Sequence, residues 1–153
     1  MTIYLATDHA GFELKEAIKA YLEENAEYEV YDCGALTLEP GDDYPDYMAR
    51  AAEKVQYDAQ HDPSLAILCG GSGVGEAIVA NRFAHVRAVA YAGGPLDVIK
   101  VSREHNDTNV LSIGARFVAV NEAKQAVDLF LMTQFSHAER HADRIIQIEE
   151  VTK

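Results

Sequence analysis

The segment LAILCGGSGVGEAIVANR, residues 65–82, concentrates the chemistry of this chain. A short apolar run leads into Gly70, Gly71, Gly73 and Gly75, and a helical pattern follows. Successive backbone N–H groups in such a strand-to-helix turn can converge on a negative oxygen. Ser72 adds a hydroxyl donor. Glu76 stands at the edge of the nest. A carboxylate beside anion donors suits proton abstraction next to a carbonyl, because a developing enediolate needs a base and donors together. The same loop could hold a phosphate, or could be no more than a tight connection. It is not a Walker A loop, since no Lys-Ser/Thr follows. The helix dipole lowers the pKa of Glu76, whereas burial over an apolar floor raises it. The sequence leaves that sign open.

Other chemically capable groups are scattered. Asp8-His9 follows the first apolar run and could move protons or bind sugar hydroxyls; the plainer alternative is a helix cap. ATDHAG lacks the G-x-G-x-x-G of a dinucleotide fold. His105, Asn106, Asp107 and Asn109 form a polar run that could orient hydroxyls, or simply terminate a helix. Arg116 follows the last apolar run. Arg140 and Arg144 lie four apart, accompanied by His137 or His141. Three guanidinium groups suit a phosphate, although the 25 acidic residues offer many internal salt bridges. Cys69 ends an apolar run, where a buried structural thiol is expected.

Composition narrows the setting. The 153 residues are read as one domain, 1–153. A net charge of −12 argues against a nucleic-acid surface and favours a small phosphorylated ligand for the local arginines. No segment has the length of a membrane span, and the first residues do not read as a signal peptide. Cys33 and Cys69 are expected as reduced thiols in a cytoplasmic protein. No C-x-x-C or H-E-x-x-H metal motif occurs.

Short β-rich runs at 3–7, 28–32, 65–69, 86–91 and 110–113 alternate with helical patterns at 12–24, 45–57, 74–83, 96–104, 121–133 and 137–150. The segment 36–43 reads as a surface loop, Pro45 as a first-turn residue, and Asn121 as a cap. Strands separated by helices imply a mostly parallel five-stranded sheet covered on both faces, a three-layer αβα domain of Rossmann-like or flavodoxin-like type. Strand order is not readable. Loops that follow strands share one edge of such a sheet, where ligands bind. Asp8-His9, the glycine loop, Tyr44 and the residues after strand five could converge there. The last helix, 137–150, carries an apolar set, including Ala142, Ile145 and Ile146, beside its cationic set. It could cover the domain or pack on a second subunit.

Taken together, YLATDHAGFELK, DYP at 43–45, GGSGVGE at 70–76, REHNDTNVLSIGAR at 103–116 and ERHADR at 139–144 resemble the ribose-5-phosphate isomerase B family, which is related to galactose-6-phosphate isomerase subunits. The resemblance covers nearly the whole chain. It implies a flavodoxin-like fold and interconversion of aldose and ketose sugar phosphates without metal or nicotinamide. It also implies a homodimer, or a tetramer, whose sites are built from two subunits. One branch of the family places a catalytic cysteine immediately before its G-T/S-G segment. Gly70 occupies that position here, and Cys69, one residue earlier, faces the opposite side of a strand. The chain is similar instead to the branch in which the glutamate of GGSGxGE is the base, a role that falls on Glu76. By the same resemblance Asp8 and His105 open the sugar ring. Gly71, Ser72, Gly73, Val74 and Gly75 bind the enediolate, Tyr44 and Asn106 bind the sugar, and Arg116, Arg140 and Arg144, with His9 nearby, bind the phosphate. An isomerase for a six-carbon sugar phosphate and a non-catalytic phosphate- or nucleotide-binding module are the alternatives.

Overall fold

The computed structural model describes residues 1–151. In chain order the elements are β1 (Thr2–Thr7), α1 (Phe12–Glu23), β2 (Glu29–Asp32), α2 (Tyr44–Asp58), β3 (Leu65–Gly70) and α3 (Val74–Ala80). They are followed by β4 (Ala88–Tyr91), α4 (Asp97–Asn106), β5 (Val110–Gly114), α5 (Val120–Met132) and α6 (Glu139–Val151). All strand pairs are parallel, in the order β2-β1-β3-β5-β4.

Alternation along the strands builds two cores. Ile3, Leu5, Ile67, Cys69 and Leu111 face a layer formed by Leu14, Ile18 and Leu22 of α1, Ile99 of α4 and Phe130 of α5. Tyr4, Ala6, Leu68 and Val110 face Met48, Ala52 and Val55 of α2 and Ala80 of α3. Because helices cover both faces, central strands can be apolar at every position. Lys15 is an exception in the interior. Its ammonium donates to Asp32 Oδ2 and to the Ala35 carbonyl, both at 2.7 Å, tying α1 to the chain leaving β2. Burial works against the Asp32 charge, but the bonds from Lys15 and Lys19 prevail and hold its carboxyl below the usual range.

Strand order reverses between β1 and β3. Their following helices, α1 and α3, lie on opposite faces, so the loops diverge and leave a crevice at the carboxyl edge. Thr7 Oγ1 donates to the Cys69 carbonyl at 2.9 Å across this junction.

Several expected element ends differ, three of them with a visible cause. α3 stops at Ala80 rather than 83, because the Asn81 side chain turns to the β4 backbone, exchanging bonds with Ala88 at 2.8 and 3.0 Å. Asn121 lies inside α5 and caps nothing. A turn at Gly114, which receives the Phe117 and Val118 amides, sets that helix entry instead. α6 begins at Glu139, not 137. His137 sits at a left-handed φ of 54°, and the preceding segment is pinned to α4 by Ser136 N–H to the Glu104 carbonyl.

Candidate active site

The crevice at the carboxyl edge gathers Asp8, His9, the glycine loop, Glu76, Tyr44 and Arg116. Backbones approach closely there. A Cβ on Gly114 would lie 2.6 Å from the Ser72 carbonyl, and one on Gly73 would lie 2.9 Å from that of Ser112. Gly73 adopts φ 76° at the entry to α3, a conformation that favours glycine. Ser112 Oγ donates to the Gly73 carbonyl at 2.7 Å, and the Ala115 and Arg116 amides donate to the Gly70 and Gly71 carbonyls. The loop is therefore held from beneath by β5, with the first-turn amides of α3 left free of intrahelical acceptors.

Glu76 folds back over the end of β3. A Cβ built on Gly70 would fall 1.8 Å from Glu76 Oε1, so the carboxylate occupies the volume of a side chain at position 70. Glu76 is buried, and its Oε2 has no hydrogen-bond partner among the described residues. Burial raises its pKa above the ordinary carboxylate value. The Asp8 charge adds to this, while the backbone N–H groups of Glu76 and Gly73 oppose it. Desolvation thus prevails over the opposing backbone N–H groups, and the sign the sequence left open is upward, the direction that suits a general base. Cys69 points into the α1, α4 and α5 layer, away from Glu76, and burial pushes its thiol up to about 12. It is a buried core residue.

The surrounding groups are near. The Asp8 side chain is buried, and its Oδ1 accepts the Ala10 N–H at 3.0 Å, an Asx turn rather than a cap on α1. A Cβ on Gly75 would lie 2.7 Å from the Tyr44 hydroxyl, and one on Gly71 would lie 3.3 Å from the Arg116 guanidinium carbon. Asp42 belongs to this cluster although the sequence reading left it in a surface loop. Its Oδ1 lies 2.7 Å from His9 Nδ1. Its only sequence signal was an acidic residue just ahead of Tyr44-Pro45, which carries no spacing information.

His105 and Asn106 are not in this cluster. They end α4, which runs back from β4 toward the start of β5, and so lie at the amino edge of the sheet. The five residues of β5 separate the two edges by roughly 16 Å at about 3.3 Å per residue. His105 therefore does not meet Asp8 within one chain. At the amino edge His105 meets His141 edge-to-face, with ring centroids 4.1 Å apart, and Arg140 Nε donates to His141 Nε2 at 2.8 Å. Arg144 lies on the same helix. Asn109 takes the plainer of its two readings: its side chain bonds the Arg87 N–H and the His85 carbonyl.

The arginines divide sharply. Arg87 and Arg103 pair with Asp107 at 2.9 and 3.1 Å. Among the described residues Arg116, Arg140 and Arg144 make no ion pair, and all three are exposed. Internal salt bridging does not explain them.

Comparison with known proteins gives a consistent picture. The family model described as Ribose/Galactose Isomerase matches residues 3–148. The chain is 42% identical to ribose-5-phosphate isomerase B of Mycolicibacterium paratuberculosis over 146 residues, covering 95% of this chain and 87% of that one. It is 41% identical to the protein of the same name from Mycobacterium tuberculosis, with 95% and 86% covered. Among solved structures, ribose-5-phosphate isomerase B from Mycoplasma genitalium with bound ribulose-5-phosphate superposes with a TM-score of 0.90 at 34% identity, covering 98% and 95% of the two chains. The Thermotoga maritima ribose 5-phosphate isomerase gives 0.87 at 36%, with 97% of each chain covered.

Proposed function

This chain belongs to the ribose/galactose isomerase family, and on that premise we propose that it interconverts D-ribose 5-phosphate and D-ribulose 5-phosphate. The observation that carries the chemical assignment is the desolvated Glu76 carboxylate lying where a side chain at position 70 would be.

The furanose ring opens as His105 and Asp8 move a proton between the ring oxygen and the C1 hydroxyl. Glu76 then removes the C2 proton. The N–H groups of the 71–75 loop and the Ser72 hydroxyl stabilise the cis-enediolate, a contribution of a few kcal/mol per fixed donor in comparable oxyanion holes. Glu76 returns the proton to C1. Tyr44 and Asn106 orient hydroxyls. Arg116, Arg140, Arg144 and His9 bind the phosphate, whose remote binding energy holds C1 and C2 against the base.

Such a site needs two chains. Glu76 and Asp8 lie at one edge of the sheet, whereas His105, Asn106, Arg140 and Arg144 belong to the other. A homodimer related by a two-fold axis sets the amino edge of one subunit against the carboxyl edge of its partner, twice over. The unfilled apolar side chains of α6 support this arrangement: Ile146 is 58% exposed and Val151 82%. The free thiols Cys33 and Cys69 suit a cytosolic setting.

Incubation with ribose 5-phosphate in D₂O tests the reading. Deuterium should enter at C1 of the ribulose 5-phosphate that forms and at C2 of the ribose 5-phosphate re-formed from it. Phosphate-ester binding with no exchange at C2 would leave only a binding module. Faster turnover of allose 6-phosphate or galactose 6-phosphate would move the substrate to six carbons.

A further inference from the structure

Resting on the reading that His9 binds the substrate phosphate, we propose that Asp42 is a positioning residue that grips the His9 imidazole by Nδ1 and presents Nε2–H to that phosphate. One carboxylate oxygen does the gripping. Asp42 Oδ1 accepts the backbone N–H of His9 at 2.8 Å and lies 2.7 Å from its ring Nδ1. An ionised carboxylate only accepts, so the ring nitrogen it touches must carry the proton. Both the backbone and the ring of His9 are thereby fixed to a residue 33 positions away.

Among the described residues, the ring's hydrogen bonds and ion pairs all run through Nδ1, which leaves its Nε2 side open. The imidazole is partly exposed and lines a surface cavity of about 300 Å³ with Ala115, the residue before Arg116. This places it beside the loop that carries an unpaired guanidinium. A phosphate is bound by donors, so the imidazolium is the useful form. The charged groups around it agree. Asp42 faces it from the loop before α2 and Asp8 Oδ2 lies 3.9 Å away in its own turn. Glu13 of α1 lines the same cavity. Tyr47 of α2 stands behind Asp42, and Ala115 of the cavity lining precedes Arg116 in the chain. The Asp42 hydrogen bond raises the His9 pKa, partial burial opposes it, and the Asp8 charge adds to the rise. The imidazolium is therefore kept to higher pH than in a solvated histidine.

The alternative is that Asp42 only staples its loop to the β1–α1 turn through the His9 backbone. Asp42→Asn and His9→Gln, alone and combined, separate the two. The imidazole ¹⁵N resonances of His9 should show a proton on Nδ1 in the neutral ring of the unmodified protein. They should titrate at lower pH in Asp42→Asn, and inorganic phosphate should shift them. In kinetics, Asp42→Asn should raise KM for ribose 5-phosphate about tenfold, the scale of one charge-assisted hydrogen bond. kcat should stay within about twofold, and the alkaline rise in KM should move to lower pH. In the His9→Gln background Asp42→Asn should change KM by less than about twofold. Unchanged His9 titration in Asp42→Asn, or an equal kinetic loss with and without His9, would overturn the proposal. The resonance titration needs no turnover. An inactive parent protein would therefore refute the pentose-phosphate reading, while the NMR result would still decide the role of Asp42.

Discussion

The two edges of the sheet solve opposite problems. At the carboxyl edge the acids Asp8 and Glu76 are buried, the backbone is packed so tightly that glycine is needed at Gly73 and Gly114, and the Glu76 carboxylate fills the space beside Gly70. At the amino edge Arg140 and Arg144 stand exposed on a helix, with no carboxylate engaged among the described residues. Each half is electrostatically incomplete. The acids have geometry and desolvation but few cations; the cations have charge but no enclosure. Arg87 and Arg103 show that unpaired arginines are not the rule at the amino edge, since both are bound to Asp107. The difference separates arginines that hold the fold from arginines that stand exposed without an ion pair among the described residues.

The comparison breaks most severely at Glu76. Glu76→Gln should lower turnover about 10²–10⁴-fold, as expected for a lost general base, with phosphate-ester affinity within roughly tenfold. Gly70→Ala should cause a loss of similar scale in folded protein, because the new methyl displaces a flexible carboxylate rather than backbone. Kinetics and calorimetric binding on one preparation check both. Near-normal turnover in either variant would remove Glu76 from the chemistry.

A smaller and different effect is expected at the amino edge. Arg140→Ala or Arg144→Ala should raise KM for ribose 5-phosphate about 10- to 100-fold, with little change toward unphosphorylated ribose and little loss of stability. Arg87→Ala should instead cost about 1–3 kcal/mol of stability through its Asp107 and backbone bonds. Denaturant titration beside kinetics tells the two kinds of arginine apart. Equal stability losses would dissolve the distinction.

The pH profile sharpens the carboxyl edge. A general base must be ionised to take a proton, and the Glu76 pKa is raised. As pH falls through that raised value the base is protonated and kcat is lost, above the range of an ordinary carboxylate. An acid limb at or below the ordinary range would contradict a desolvated base. Least of all should change in Cys69→Ala: turnover within about twofold and about 1 kcal/mol of stability lost from the core. A profound loss of turnover there would reopen a thiol mechanism.

How much of this was legible in the sequence depends on the range of the interaction. The glycine loop, its strand and its helix are local, and their period and composition announce them. The face on which Cys69 sits followed from strand alternation alone. Asp42 was not legible, because its contact with His9 spans a loop whose path depends on tertiary packing. Nor was the start of α6, where a link from Ser136 to α4 overrides a helical pattern at His137. The placement of His105 is more instructive. A residue between a helix and the next parallel strand must lie at the amino edge, so the topology alone separates His105 from Asp8 within one chain. Strand order, which follows from packing between distant elements, had no sequence signal.

The account stands on the two edges meeting only between subunits, and mixed inactive chains test this directly. Glu76→Gln chains and His105→Ala chains are combined and allowed to exchange, and ribose 5-phosphate turnover is measured against the verified heterodimer fraction. One heterodimer site then carries both substitutions and the other neither. The predicted result is recovery to about half the normal activity per dimer, the share of one intact site in two. Verified heterodimers that stay as inactive as either parent would contradict a site in which Glu76 and His105 come from different chains.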